Sequence, residues 1–252
     1  RLTRSELFVV MSCGMATIAG TVMVFYSVIL EGVIDNALGH ILTASVISAP
    51  AAIMLALIMV PAQQSQEAGE SAVDAVDIGT DYHNVMDAIA RGTSDGLKLM
   101  ANVGAMLLVL VALVALLNSA LSLIPIPGGE ALTLQAMFGW VFAPLTWLMG
   151  IPWQEAPLAG SLMGTKTVLN ELLAFLALAE LPTGALSEKS TIIMTYAICG
   201  FANFGSLGIM IAGLTGMCSE RAQEIVALAP KSLISGTLAT CMTGAIAGLL
   251  TF

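Results

Sequence analysis

Four polar side chains interrupt stretches of the chain that are otherwise apolar, and chemistry could reside there: Lys166 and Glu171 in one stretch, Asn203 and Ser206 in another. An ionised carboxylate only accepts hydrogen bonds, so Glu171 suits a ligand with two neighbouring hydroxyls. Asn203 can donate and accept at once, and Ser206 falls three residues on, on the same helical face. The competing structural readings are an ion pair between Glu171 and Lys166, and hydrogen bonds from Asn203 and Ser206 to neighbouring helices. A carboxylate at membrane depth is a functional candidate by default. Catalysis is not supported. Ser206 as the nucleophile of an intramembrane hydrolase needs a general base, and His40 and His83 are both read as loop residues. Residues 160–167 end in Gly-Thr-Lys-Thr, but the glycine spacing is wrong for a phosphate loop and no strand precedes it. Cys13, Cys199, Cys218 and Cys241 have neither metal-ligand nor disulfide-framework spacing and read as small packing residues.

Such groups need an apolar frame to hold them. Of the 252 residues, 58% are hydrophobic and 10% charged, and the mean hydropathy is +0.93. This composition excludes an ordinary soluble domain and implies an all-α, polytopic membrane protein in contact with the lipid bilayer. The net charge of -9 comes from acids clustered over residues 67–95, so it describes one loop and no nucleic-acid partner. Spans are expected over residues 7–30, 41–60, 99–123, 191–219 and 232–252. The first is capped by Thr3 and Glu6, the second is kinked at Pro50, and the third is ended by Pro125-Ile126-Pro127-Gly128-Gly129. Between the second and third, residues 61–80 read as an acidic cytoplasmic loop. Residues 81–98 read as an amphipathic surface helix interrupted at Gly92 or Gly96. Asn102 and Asn118 in the third span read as contacts between helices.

Residues 138–181 carry Pro144, Gly150, Pro152, Pro157, Gly160 and Gly164 together with charged side chains. Two short half-helices in a re-entrant hairpin fit this better than a simple span, because such backbone must be shielded by protein. In residues 191–219, Gly200, Gly205 and Gly208 surround Asn203 and Ser206, which reads as a broken helix. With alternating spans, Arg1, Arg4, Arg91, Lys98, Arg221 and Lys231 fall on one side and Lys189 on the other. The first side is therefore expected to be cytoplasmic and the C-terminus extracytoplasmic, in a multi-pass inner-membrane protein.

Cys13-Gly14-Met15-Ala16-Thr17 aligns with Cys199-Gly200-Phe201-Ala202-Asn203, and the charge distribution gives the two copies opposite directions. Inverted repeats with paired broken helices mark many secondary transporters, with substrate at the repeat interface. A hairpin precedes the second copy, so one is expected before the first, upstream of Arg1.

Four motifs in order carry a family resemblance. They are Asp95-Gly96-Leu97-Lys98-Leu99-Met100-Ala101-Asn102-Val103-Gly104-Ala105, Phe142-Ala143-Pro144-Leu145-Thr146-Trp147-Leu148-Met149-Gly150-Ile151-Pro152-Trp153, Gly164-Thr165-Lys166-Thr167-Val168-Leu169-Asn170-Glu171 and Cys199-Gly200-Phe201-Ala202-Asn203-Phe204-Gly205-Ser206. Together they resemble the C-terminal part of the concentrative nucleoside transporter family over essentially the whole chain.

The resemblance implies half of an inverted-repeat, elevator-type transporter that is homotrimeric and is not an enzyme. It implies nucleoside symport with a coupling ion, Na+ ahead of H+, and no other cofactor. It assigns the ribose to Glu171, Asn203 and Ser206, and the neighbourhood of the nucleobase to Val22. Phe201 is a weaker candidate, because an aromatic ring there could equally be core. An incomplete Na+ site is implied at the Thr17 hydroxyl and the Ile18 main-chain carbonyl, against the alternative that Thr17 bonds back to its own helix. The family's first hairpin, with its Gln/Thr/Glu motif, is expected upstream, and residues 1–252 alone are not expected to transport. Relatives usually have Ser or Thr at the position of Gly205, so one subsidiary contact is expected to be absent. An elevator-type carrier for another small polar solute is the alternative function.

Overall fold

The computed structural model describes residues 2–62, 84–124 and 132–251, and all regular structure in them is helical. In chain order the helices are α1 (Arg4–Ala16), α2 (Gly20–Ile29), α3 (Ala37–Met59), α4 (Val85–Leu121), α5 (Leu134–Leu148), α6 (Ala156–Val168), α7 (Glu171–Ala179), α8 (Glu188–Ile198), α9 (Phe204–Met217) and α10 (Ala222–Leu250). Starts are written locally. Asn84, Thr133, Asn170, Ser187 and Asn203 each cap a helix by accepting a backbone N–H three residues on. Such caps satisfy donors that have no partner inside the helix. At α1 the box is complete, with Glu6 N donating to Thr3 Oγ1 at 3.3 Å and Thr3 N to Glu6 Oε2 at 2.7 Å.

Residues 7–30 form two helices with a break at residues 17–19, and residues 191–219 form two with a break at residues 199–203. Each pair is followed by a long helix with an internal proline, Pro50 in α3 and Pro230 in α10. Arg221 Nη1 donates to Leu2 O at 2.6 Å, so the starts of α1 and α10 share one end of the molecule. Lys189 Nζ donates to Thr251 O at 3.0 Å, so the start of α8 lies with the end of α10 at the other. The two broken helices therefore run in opposite directions.

Three expectations are corrected. Helix α4 runs unbroken through Gly92 and Gly96 for 37 residues. A glycine in a helix costs only about 1 kcal/mol, and the ion pairs of Asp87 with Arg91 and Asp95 with Lys98 brace that stretch. The proline-rich region holds three helices rather than two. Helix α5 lies along α6 at glycine contacts, where a Cβ on Gly139 would stand 2.7 Å from Pro157 O and one on Gly160 2.9 Å from Ala143 N. The re-entrant pair is α6 and α7, joined at Leu169 and Asn170. Finally, the last helix starts ten residues before the expected 232, since Pro230 is accommodated inside it.

His40 is also relocated, to the first turn of α3, where its Nδ1 lies 3.1 Å from the Tyr196 hydroxyl. Asn118 joins α4 to α5, accepting from Leu134 N at 2.8 Å and donating to Gln135 at 2.9 Å. Most of the expected loop and the start of the surface helix, residues 63–83 with His83, lie outside the described residues, as do Pro125 to Gly129 and the side chain of Asn102.

The main core draws on both broken helices and on the hairpin. Tyr26, Leu30, Ile41, Met163, Phe175 and Ile193 are buried together in it. The two breaks also press against each other. A Cβ on Gly200 would stand 2.8 Å from Ala16 O and 2.7 Å from Thr240 Cγ2, so only glycine admits this approach.

Candidate functional site

Glu171 is the first residue of α7, at the turn of the hairpin. Asn170 fixes that start by accepting from Leu173 N at 2.9 Å, and a helix N-terminus favours a negative side chain. Glu171 is only 4% exposed, so its carboxylate needs donors. Two helices supply them. The Tyr26 hydroxyl on α2 donates to Oε1 at 2.7 Å, and Asn203 Nδ2, at the start of α9, donates to Oε2 at 3.0 Å. Asn203 Oδ1 in turn accepts from Ser206 N at 2.7 Å. These two partners fix which way the amide faces, because its oxygen meets an N–H and its nitrogen meets a carboxylate.

Glu171, Asn203 and Ser206 are thus brought together, with Ser206 joined through its backbone N–H. Chemically the cluster keeps capacity. A carboxylate has roughly four acceptor positions and an amide nitrogen two hydrogens. One bond to each oxygen and one from the nitrogen leave further acceptors and a donor for a polyhydroxyl ligand.

Tyr26 is missing from the sequence reading. It is 2% exposed, and its ring packs on Phe175 with centroids 4.9 Å apart. The available signal was its spacing. Tyr26 follows Val22 by four residues, on the same face of α2, and a buried tyrosine hydroxyl generally has a partner. Val22 and Phe201 are half-buried and pack against the main core.

Lys166 does not pair directly with Glu171. Among the described residues the ion pairs within 4 Å are Arg91 with Asp87, Lys98 with Asp95 and Arg221 with Glu224. Its Nζ instead donates to Ala197 O and Thr240 Oγ1, both at 2.8 Å.

Thr17 and Ile18 lie at the first break. The Thr17 hydroxyl donates back to Cys13 O at 2.9 Å, and Ile18 N donates to Ser45 Oγ at 3.4 Å. Among the described residues no cluster of three or more His, Cys, Asp or Glu side chains could hold a metal ion. The oxygens that this break itself offers a cation are those of the Thr17 hydroxyl and the free main-chain carbonyls. A cavity of about 470 Å³ opens beyond the far end of α7, lined by Asp35, His40, Leu178, Thr183, Glu188 and Thr191, and none of the candidate residues lines it.

This arrangement can be set beside known proteins. Residues 40–248 match the family described as Na+ dependent nucleoside transporter C-terminus. The chain belongs to that family. A solved structure of CNTnw in an inward-facing, substrate-bound state superposes on the whole of this family member with a TM-score of 0.83 at 38% identity, covering 58% of that chain. An uncharacterized transporter, YutK, of Bacillus subtilis is 39% identical over 98% of this chain. The nucleoside permease NupC of Helicobacter pylori is 37% identical over 98% of it. The chain spans 60% and 58% of the lengths of these two proteins. Members of the nucleoside transporter family are transporters and not enzymes.

Proposed function

We propose that the full-length protein carries nucleosides across a membrane, driven by a cation gradient, with Na+ ahead of H+. The observation that carries the reading is the buried Glu171 carboxylate, held between Tyr26 and Asn203 where the hairpin meets the second broken helix. The names of its relatives, a nucleoside permease and a substrate-bound transporter, supply the solute class.

In this reading the neighbouring hydroxyls of ribose donate to the open acceptor positions of Glu171. The remaining hydrogen of Asn203 and the Ser206 hydroxyl complete the sugar's contacts. Val22 borders the base, and Phe201 lines the same side. The Thr17 hydroxyl and the Ile18 carbonyl contribute to an Na+ site whose other ligands come from elsewhere in the full-length protein. No covalent step is required. The cation organises the site, the nucleoside closes it, and hairpin and broken helices move together against a scaffold.

The end bearing Arg4 and Arg221 faces the cytoplasm, the C-terminus is extracytoplasmic, and the assembly is a homotrimer in the inner membrane. Uptake of labelled uridine by cells expressing the full-length protein, with and without an inward Na+ gradient, tests this. Gradient-dependent uptake is expected, and no uptake under either condition would redirect the reading to another polar solute.

A further inference from the structure

Lys166 is fully buried, yet its ammonium meets no carboxylate directly. Taking a charge out of water is costly, so its surroundings must compensate. The Thr240 hydroxyl spends its own proton on Thr237 O at 3.0 Å, so its oxygen must accept from Lys166. The second acceptor, Ala197 O, lies in the last turn of α8. The chain breaks immediately afterwards, so that carbonyl lacks a helical partner and lies at the negative end of the helix dipole. Two oxygens from two helices thus converge on one monovalent cation, which is delivered by the side chain of a third helix.

Broken helices commonly use freed carbonyls in this way to bind an ion. At the first break Thr17 and Ile18 meet Cys13 and Ser45, and among the described residues no cationic side chain donates to the oxygens there.

We propose that Lys166 is a tethered cation. It fills the position of an exchangeable monovalent ion at the break between α8 and α9, and so fastens the hairpin to the segment that presents Asn203. The two breaks then differ in kind, one closed by a built-in charge and the other open to solute ions. The proposal goes beyond the nucleoside reading and holds whichever solute is carried.

Thermal melting of the purified full-length protein tests it. Lys166→Ala should melt below wild type, and methylammonium chloride should recover at least half of the loss. Tetramethylammonium chloride at equal concentration should recover none, and wild type should respond to neither. Lys166→Met keeps the stem without the charge. It should fold, lose uridine uptake by about tenfold or more, as expected for loss of hydrogen bonds from a charged donor, and gain nothing from methylammonium. Absence of a methylammonium-specific recovery in Lys166→Ala overturns the proposal. If that variant does not fold, wild-type uptake by Lys166→Met overturns it. Failure of wild type to carry uridine would count against the nucleoside reading alone, because the melting series decides on Lys166 by itself.

Discussion

The Tyr26 hydroxyl donates a 2.7 Å hydrogen bond to Glu171 Oε1, which lets a residue of the first broken helix hold a carboxylate at the turn of the hairpin. With Asn203 on the other oxygen, the carboxylate is clamped from both repeats. Removing one clamp frees the group to rotate and weakens its hold on a ligand. Tyr26→Phe keeps the ring against Phe175 and removes only the hydroxyl. A hydrogen bond to a charged group contributes roughly 1.5–3 kcal/mol, so the KM for nucleoside uptake should rise about tenfold or more. Initial uptake rates against nucleoside concentration check this, with Vmax expected to change less than KM.

Asn203 has two separable duties, capping α9 with its oxygen and holding Glu171 with its nitrogen. Asn203→Asp preserves the first and reverses the second, placing one carboxylate against another where a 3.0 Å hydrogen bond stood. Its uptake should fall at least as far as that of Asn203→Ala. If Asn203→Asp transports like wild type, the cap alone matters and the amide donor does not.

Much of this was legible in the sequence because buried charges and amides are rare in apolar stretches. Glu171 and Asn203 stand out for that reason, and the shared Cys-Gly pattern at Cys13 and Cys199 exposed the paired breaks. Tyr26 did not stand out, since a tyrosine in a span is usually core or interface and only the fold reveals its partner. The competing reading, an ion pair of Lys166 with Glu171, is the one the fold does not form. Opposite charges five residues apart suggest a pair, but the turn at Leu169 and Asn170 sends Lys166 to α8 and α10 instead. Gly92 and Gly96 do not break α4, because a local propensity of about 1 kcal/mol yields to flanking ion pairs and helix continuity.

Glycines at close approaches and glycines in open space should respond oppositely to alanine. At Gly200 a Cβ would meet the main chain at Ala16 O, at 2.8 Å. Gly200→Ala should therefore lower stability by about 1–3 kcal/mol. Gly92 has nothing within 4 Å of such a Cβ among the described residues, and Gly92→Ala should raise stability by up to about 1 kcal/mol. Melting temperatures of the two variants in detergent separate these outcomes.

If the Thr17 hydroxyl belongs to the coupling-ion site, its removal should be felt by the ion before the nucleoside. Thr17→Ala should raise the Na+ concentration for half-maximal uptake several-fold, and saturating Na+ should restore most of the rate. An unchanged Na+ dependence would reduce Thr17 to the helix-internal bond it makes to Cys13 O.

The most direct measurement is concentration-dependent uptake of labelled uridine by cells expressing the full-length protein with Glu171→Gln, corrected for the amount reaching the membrane. Truncating one partner of a buried, charged hydrogen-bonded contact typically costs 2–5 kcal/mol, so KM should rise by about thirtyfold or more, or uptake should vanish. Uptake by Glu171→Gln with wild-type KM and rate would contradict the account, because the carboxylate held by Tyr26 and Asn203 would then not be what holds the nucleoside.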